Sequence, residues 1–184
     1  MSESLPLSLS PEMALNVKRS RVVALIGHSA AGKSSCLRQL NAEREADMDN
    51  ALGTVRSPEL DEAILWITEL NRPPVIAISN HEEMLKSLRA AKTGGSYPKQ
   101  MSRICFVYLS KPKDRLARHL AKPTPDGSIR PRRAQEYTLD KYDRLHQVFM
   151  DLADEVIECS LISVPEVAGQ VLRIEQNMIE LRDF

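Results

Sequence analysis

Short runs of apolar residues alternate along the chain with longer stretches in which apolar residues recur every three or four positions. A continuous run is typical of a strand buried on both faces of a parallel sheet, and the longer spacing is typical of an amphipathic helix. The runs predict strands at residues 22–26, 75–78, 104–109 and 156–159. The helical spacing predicts helices at residues 34–43, 58–70, 82–92, 113–121, 140–154 and 164–181.

Alternating strands and helices predict an α/β fold in three layers, with helices on both faces of a central, mostly parallel sheet. We expect about five strands, and any fifth strand would be a short one in the polar stretch 43–49. Residues 20–184 are predicted to form one domain. The Ser- and Pro-rich residues 1–19 are predicted to be a flexible tail, with a partner-binding arm as the alternative.

The charge balance makes nucleic acid an unlikely partner. The 184 residues carry 25 Lys and Arg against 25 Asp and Glu, whereas gripping nucleic acid usually needs a basic excess. Three widely spaced cysteines favour reduced thiols, and neither a membrane span nor a signal peptide is predicted. We therefore expect a cytoplasmic protein, monomeric or a small homo-oligomer, that binds neither nucleic acid nor membrane.

One motif carries specific chemistry. Residues 27–34, GHSAAGKS, match the P-loop pattern G-x-x-x-x-G-K-[ST], and they lie between a predicted strand and a predicted helix, as that motif requires. Its glycines permit a tight turn whose backbone N–H groups, together with the helix N-terminus, attract phosphate. Lys33 is predicted to reach the β- and γ-phosphates, and the Ser34 hydroxyl to bind Mg²⁺. A chance glycine turn is the disfavoured alternative.

The acidic residues Asp47 and Asp49 are candidates for catalysis. No guanine-reading N-K-x-D motif occurs, and no carboxylate directly follows the strands at 75–78 and 104–109. On an extended segment, Asp47 and Asp49 would point the same way. One could assist Mg²⁺, and the other could accept a proton from a substrate hydroxyl. A solvated acidic loop is the open alternative.

A basic, Pro-rich loop follows the helix at 113–121. Its arginines, from Arg130 to Arg133, favour a lid at about residues 122–136 that closes over a phosphate site. A solvated basic loop is the alternative. His28 is expected to expose its ring, because the P-loop works through backbone N–H groups. His81 is expected either to touch substrate or to cap a turn.

From about residue 21 to the last helix, the chain resembles the shikimate kinases and, more broadly, small P-loop metabolite kinases. The resemblance rests on motifs in a fixed order: the P-loop, the Asp pair, the strand at 75–78, FVYL at 106–109, Arg130-Pro131 and FMDLAD at 149–154. It implies a P-loop NTPase fold, ATP and Mg²⁺ as cofactors, and phosphoryl transfer to an alcohol.

The resemblance also implies roles for individual residues. Lys33, Asp49 and Arg130 would be catalytic, with Asp49 binding the acceptor hydroxyl, and Ser34 and Asp47 would hold the metal. The implied ATP-binding residues are Gly27, Ala30, Ala31, Gly32, Lys33, Ser34, Ser35 and Arg130.

The acceptor pocket departs from the family pattern. Ser79-Asn80-His81 replaces a Gly-Gly-Gly turn, Arg56 lies near the place of one substrate arginine, and Arg144 is one residue out of register with another. The acceptor-binding candidates are Asp49, Arg56, Asn80, His81 and Arg144. The predicted function is ATP-dependent phosphorylation of a small hydroxylated metabolite. The alternatives are a nucleotide or nucleoside kinase, or an ATP-binding regulatory protein with altered catalysis.

Overall fold

The fold is seen in a computed structural model of the chain, which describes residues 22–40, 60–68, 75–78, 80–124 and 126–180. The tail predicted at residues 1–19 and the stretch 43–49, where a fifth strand was expected, lie outside these residues.

A parallel sheet forms the centre of the molecule, with the strand order β2-β1-β3-β4. Its strands are β1 (Val22–Ile26), β2 (Val75–Ala77), β3 (Ile104–Ser110) and β4 (Glu155–Glu158). Each coincides with one of the apolar runs to within a residue. The predicted α/β class is confirmed, but the described part of the chain has four strands rather than about five.

Eight helices are described. They are α1 (Lys33–Leu40), α2 (Leu60–Thr68), α3 (Glu82–Gly94), α4 (Pro98–Met101), α5 (Lys113–Leu120), α6 (Arg132–Asp140), α7 (Tyr142–Leu152) and α8 (Val164–Glu180). None of these is long and apolar enough to cross a bilayer.

Two of these helices were not predicted from the sequence. α6 has no buried residue, so it lacks the apolar stripe by which a helix is recognised. It begins within the last third of the predicted lid and extends beyond it, so the lid region is a loop followed by the start of a helix. α4 is a single turn. The predicted end of α3 is confirmed, because Gly95 adopts a left-handed conformation (φ 72°) and its N–H bonds to the Ala91 carbonyl.

The sheet separates two hydrophobic cores. Strand residues such as Ala24 and Phe106 face α2, α3 and α7 on one side. Their neighbours along the strands, such as Leu25 and Val107, face α1 and α8 on the other. This alternation follows from the two-residue period of a strand, and it makes both faces of the sheet apolar. The predicted three-layer arrangement is confirmed.

Asp154 joins α3 to the sheet at the start of β4. Its backbone N–H donates to the Phe106 carbonyl (2.8 Å), and its carboxylate accepts the Phe106 N–H (2.9 Å). The second carboxylate oxygen pairs with Lys92 of α3 at 2.8 Å. One carboxylate thus satisfies a backbone donor of β3 and anchors a helix across the layer.

We expect Asp154→Ala to destabilise the protein by about 1–2 kcal/mol, because it leaves the Phe106 N–H without its carboxylate partner. The matched control is Asp151→Ala. Asp151 of α7 pairs at the surface with Arg89 of α3, at 3.1 Å. An exposed ion pair of this kind contributes less than about 1 kcal/mol to stability. Urea denaturation of the two variants measures the difference, and equal losses would contradict the role assigned to Asp154.

Candidate functional site

The loop between β1 and α1 is shaped by two glycines. A Cβ on Gly27 would lie 2.8 Å from the Leu109 carbonyl oxygen, and its φ of 153° disfavours any side chain. Gly32 has φ 108°, which also favours glycine. Ala30 between them adopts a left-handed φ of 64°, an uncommon conformation for a residue with a Cβ. The loop therefore turns tightly against the end of β3.

Lys33, the first residue of α1, folds back onto this loop. Its ammonium donates to the backbone oxygens of Gly27 (2.7 Å) and His28 (3.3 Å). It also donates to the side-chain oxygen of Asn80 (3.1 Å), and the Asn80 amide nitrogen donates to the Ser29 hydroxyl (3.0 Å). Asn80, from the segment after β2, is thus bonded to two residues of the P-loop, Ser29 and Lys33.

The N-terminus of α1 favours the binding of an anion at the site. No acidic residue occupies its first turn, so the helix itself supplies no charge that offsets the positive end of its dipole. Ser34 has an exposed side chain at this end. A hydroxyl oxygen is a hard ligand that Mg²⁺ accepts, and Mg²⁺ usually takes few protein ligands together with substrate phosphates. The described residues therefore fit a metal shared with a bound nucleotide.

A cavity of about 440 Å³ adjoins the P-loop on the α8 side of the sheet. Its wall includes Ala31, Gly32 and Ser35 of the loop and first turn of α1. Cys36 and Cys159 line it as well, and burial raises the pKa of these two thiols to about 12 and 11. Both thiols therefore stay protonated at neutral pH and act as apolar wall.

Basic side chains surround the same cavity. Lys111, Arg115, His119 and Lys122 line it. Burial, followed by the charges of Lys111, Arg130 and Lys122, lowers the pKa of His119. Arg130 of the predicted lid therefore lies close enough to this cluster to act on it electrostatically. Such a concentration of positive charge favours an anionic ligand.

His28 is buried rather than exposed, so the prediction that its ring faces solvent was wrong. The residue is 1% accessible, and its ring stacks on Tyr142 (4.3 Å between centroids, 13°) and meets Phe149 edge-on at 5.0 Å. Neither ring nitrogen has a hydrogen-bond partner among the residues that the structure describes. Burial, assisted by the Lys33 charge, lowers the pKa of His28 to about 3. The imidazole is neutral and serves as an aromatic surface between the loop and α7.

Glu82, the first residue of α3, forms ion pairs with three basic side chains. Its carboxylate lies 3.0 Å from Lys86, 3.3 Å from Lys141 and 3.5 Å from Arg144. Hydrogen bonds from Lys86 and Lys141 hold the pKa of Glu82 below its usual range. The neighbouring His81 occupies the N-cap position of α3, but its side chain makes no capping hydrogen bond. Arg144, an acceptor-binding candidate, is thus bonded to Glu82.

The structure brings together only some of the residues predicted for the site. The P-loop residues and Asn80 are in contact. The charge of Arg130 lowers the pKa of His119 in the cavity wall. Asp47, Asp49, Arg56 and Ser79 lie outside the described residues, and their predicted roles stay predictions.

Sequence reasoning missed Lys111, Arg115, His119 and Lys122. Lys111 directly follows β3, and side chains at the carboxyl ends of neighbouring parallel strands gather at one edge of the sheet. That position was the signal by which Lys111 could have been found.

Comparison with known proteins identifies the fold. No protein-family model matches the chain, and no curated protein does. Among solved structures, the shikimate kinase from Acinetobacter baumannii in complex with shikimate aligns with a TM-score of 0.52 and 15% identity, covering 89% of this chain and 97% of that one. The shikimate kinase from Bacteroides thetaiotaomicron aligns with a TM-score of 0.48 and 14% identity, covering 87% and 98%. The chain has a shikimate kinase-like P-loop fold.

His28→Phe is expected to flatten the pH dependence of stability. In the native state His28 binds a proton only near pH 3, whereas in the unfolded chain it does so near pH 6.5. Its contribution is therefore fully present above pH 6.5 and is lost as pH falls towards 3, by up to about 1.4 kcal/mol per pH unit. Phenylalanine keeps the stack and removes the titration. Urea unfolding of both proteins at pH 7 and pH 5 measures the effect, and identical pH slopes would contradict it.

A bound triphosphate is expected to raise the pKa of His119. In the ligand-free protein, burial and three nearby cations lower this pKa. An anion among the same cations would favour the protonated ring. NMR titration of the imidazole with and without ATP measures the shift.

Proposed function

We propose that this protein is a kinase that transfers the γ-phosphoryl group of ATP to a hydroxyl of a small metabolite. The observation that carries the proposal is the P-loop itself: Gly27 and Gly32 shape the turn, and Lys33 folds over it at the start of α1. The shikimate kinase-like fold supports the same class of reaction.

ATP would lie along the P-loop and extend into the adjoining cavity. The triphosphate would face residues 27–33, and the base and ribose would occupy the cavity of about 440 Å³, a volume within the range of small-molecule sites. Lys111, Arg115 and His119, in the wall of the cavity, would offset the charge of the phosphates at the adjoining P-loop. Arg130 would close over the phosphates from the lid.

Two residues would hold Mg²⁺: Ser34 through its hydroxyl and Asp47 by assisting coordination. When bound, the metal would supply positive charge that offsets the negative charge developing on the phosphate group. Ser34 stands at the first turn of α1, so its hydroxyl would meet the metal where the helix N-terminus also attracts phosphate.

The transfer step breaks the bond between the γ-phosphorus and its bridging oxygen, and forms a bond from that phosphorus to the acceptor oxygen. Asp49 would bind the acceptor hydroxyl and take its proton. Lys33 and Arg130 would stabilise the charge on the transferring group. Arg56, Asn80, His81 and Arg144 are the proposed acceptor contacts. The nucleotide and this acceptor would be the protein's partners in the cytoplasm.

A second candidate is an ATP-binding regulatory protein. The observation that favours it is the bond between Arg144 and Glu82, which engages a proposed acceptor arginine within the protein. In this alternative the nucleotide site is kept and transfer is lost.

Incubating the protein with ATP, Mg²⁺ and a panel of hydroxylated metabolites, shikimate and nucleosides included, is expected to yield a phosphorylated acceptor detectable by mass spectrometry. We expect Lys33→Ala to lower turnover by about 100-fold or more, because it removes a donor to the transferring group. Asp49→Asn should lower it by about 100- to 10,000-fold while ATP binding is retained. Turnover by Asp49→Asn at the wild-type rate would exclude its role as base.

Matched controls are Lys99→Ala, on the exposed face of α4, and Asp151→Asn, at the surface of α7; both should react normally. Phosphorylation of a nucleoside alone would identify a nucleoside kinase. Tight ATP binding without any product would favour the regulatory alternative.

A further inference from the structure

Asn80 bridges two points of the P-loop from a separate element. Its carboxamide oxygen accepts from the Lys33 ammonium at 3.1 Å, and its amide nitrogen donates to the Ser29 hydroxyl at 3.0 Å. Both groups of the amide are thus directed at the loop, which makes Asn80 more than a surface residue that happens to lie nearby.

The position of Asn80 is determined on both sides. Just before it, the Ile78 N–H donates to the Leu25 carbonyl at 2.9 Å, which holds the end of β2 beside the end of β1. Just after it, Glu82 is held by Lys141 and Arg144. With these contacts before and after it, the Asn80 carboxamide lies beside Lys33.

The bond to Asn80 competes with phosphate for the lysine. An ammonium has three N–H donors, and the Lys33 ammonium already contacts the carbonyls of Gly27 and His28 as well as Asn80. To reach a β- or γ-phosphate it must exchange a partner. Of these three partners, the two carbonyls belong to the loop that would cradle the phosphate, whereas Asn80 belongs to another segment. Among the three, the Asn80 bond is therefore the one to be exchanged.

We propose that Asn80 is a positioning residue that holds Lys33 when the P-loop is empty and is displaced from it when a nucleotide binds. This inference rests on the proposed ATP binding.

Asn80→Ala is expected to tighten binding of ATP and ADP by about tenfold, because a hydrogen bond to a charged donor no longer has to be broken. Asn80→Asp is expected to weaken binding of both by at least as much, since a carboxylate holds the ammonium more strongly and repels phosphate. Structural damage would weaken binding in both variants, so the opposite signs distinguish a positioning role. Isothermal titration calorimetry measures the dissociation constants.

Glu83→Gln is the matched control. Glu83 is an exposed residue three positions after Asn80 and pairs with Lys86. The Glu83→Gln protein should bind nucleotide as tightly as the wild type does. If Asn80→Ala binds ATP no more tightly than the wild type, the inference is overturned while the proposed ATP binding stands. If the wild type binds no ATP at all, both are overturned.

A second measurement needs no variant: the Asn80 side-chain amide resonances should shift when ATP is added to the ¹⁵N-labelled wild type. Resonances that do not move would overturn the inference.

Discussion

The close approach of the Gly27 backbone to the Leu109 carbonyl determines where the P-loop leaves the sheet. A Cβ at Gly27 would stand 2.8 Å from that oxygen, so only glycine lets β1 turn away at this point without moving β3. Because β1 lies between β2 and β3, the segments that follow both neighbours arrive at the same loop. Asn80 arrives from β2, and Lys111 arrives from β3 to lie 3.5 Å from the Ala30 carbonyl.

The two sides of the loop have different surroundings. On the α7 side, the His28 ring fills the space between the loop and Tyr142, and the Tyr142 hydroxyl donates to the Lys111 carbonyl at 2.9 Å. An aromatic contact of this kind is worth about 0.5–1.5 kcal/mol beyond the area it buries. On the α8 side, the loop borders an open cavity lined by cations. Among the described residues, the loop is thus packed against aromatic rings on its α7 side and borders open space on its α8 side.

The elements that could be predicted from the sequence are those whose burial leaves a pattern. The apolar runs located all four described strands, and the glycine spacing located the P-loop. α6 left no such pattern because none of its residues is fully buried. His28 was misjudged because its partners Tyr142 and Phe149 are distant in the chain, and only the tertiary fold shows that they cover a polar ring. The cation cluster was missed for the same reason, since its members come from the end of β3, from α5 and from the lid.

Residues 80–82 show why the acceptor side is the hardest part of the site to infer from motifs. In this short segment Asn80 engages Lys33, and Glu82 engages Lys141 and Arg144. From motifs alone, Lys33 and Arg144 are interpreted as ligand-binding groups. Each already has a polar or acidic partner within the protein. A ligand that uses them must supply interactions stronger than the internal ones, which favours a multiply charged phosphate at Lys33 over a neutral group. At Arg144, by the same reasoning, a single carboxylate on an acceptor would only match the carboxylate of Glu82. If Arg144 contacts the acceptor as proposed, selectivity there would therefore depend on the difference between internal and ligand contacts rather than on the presence of a cation.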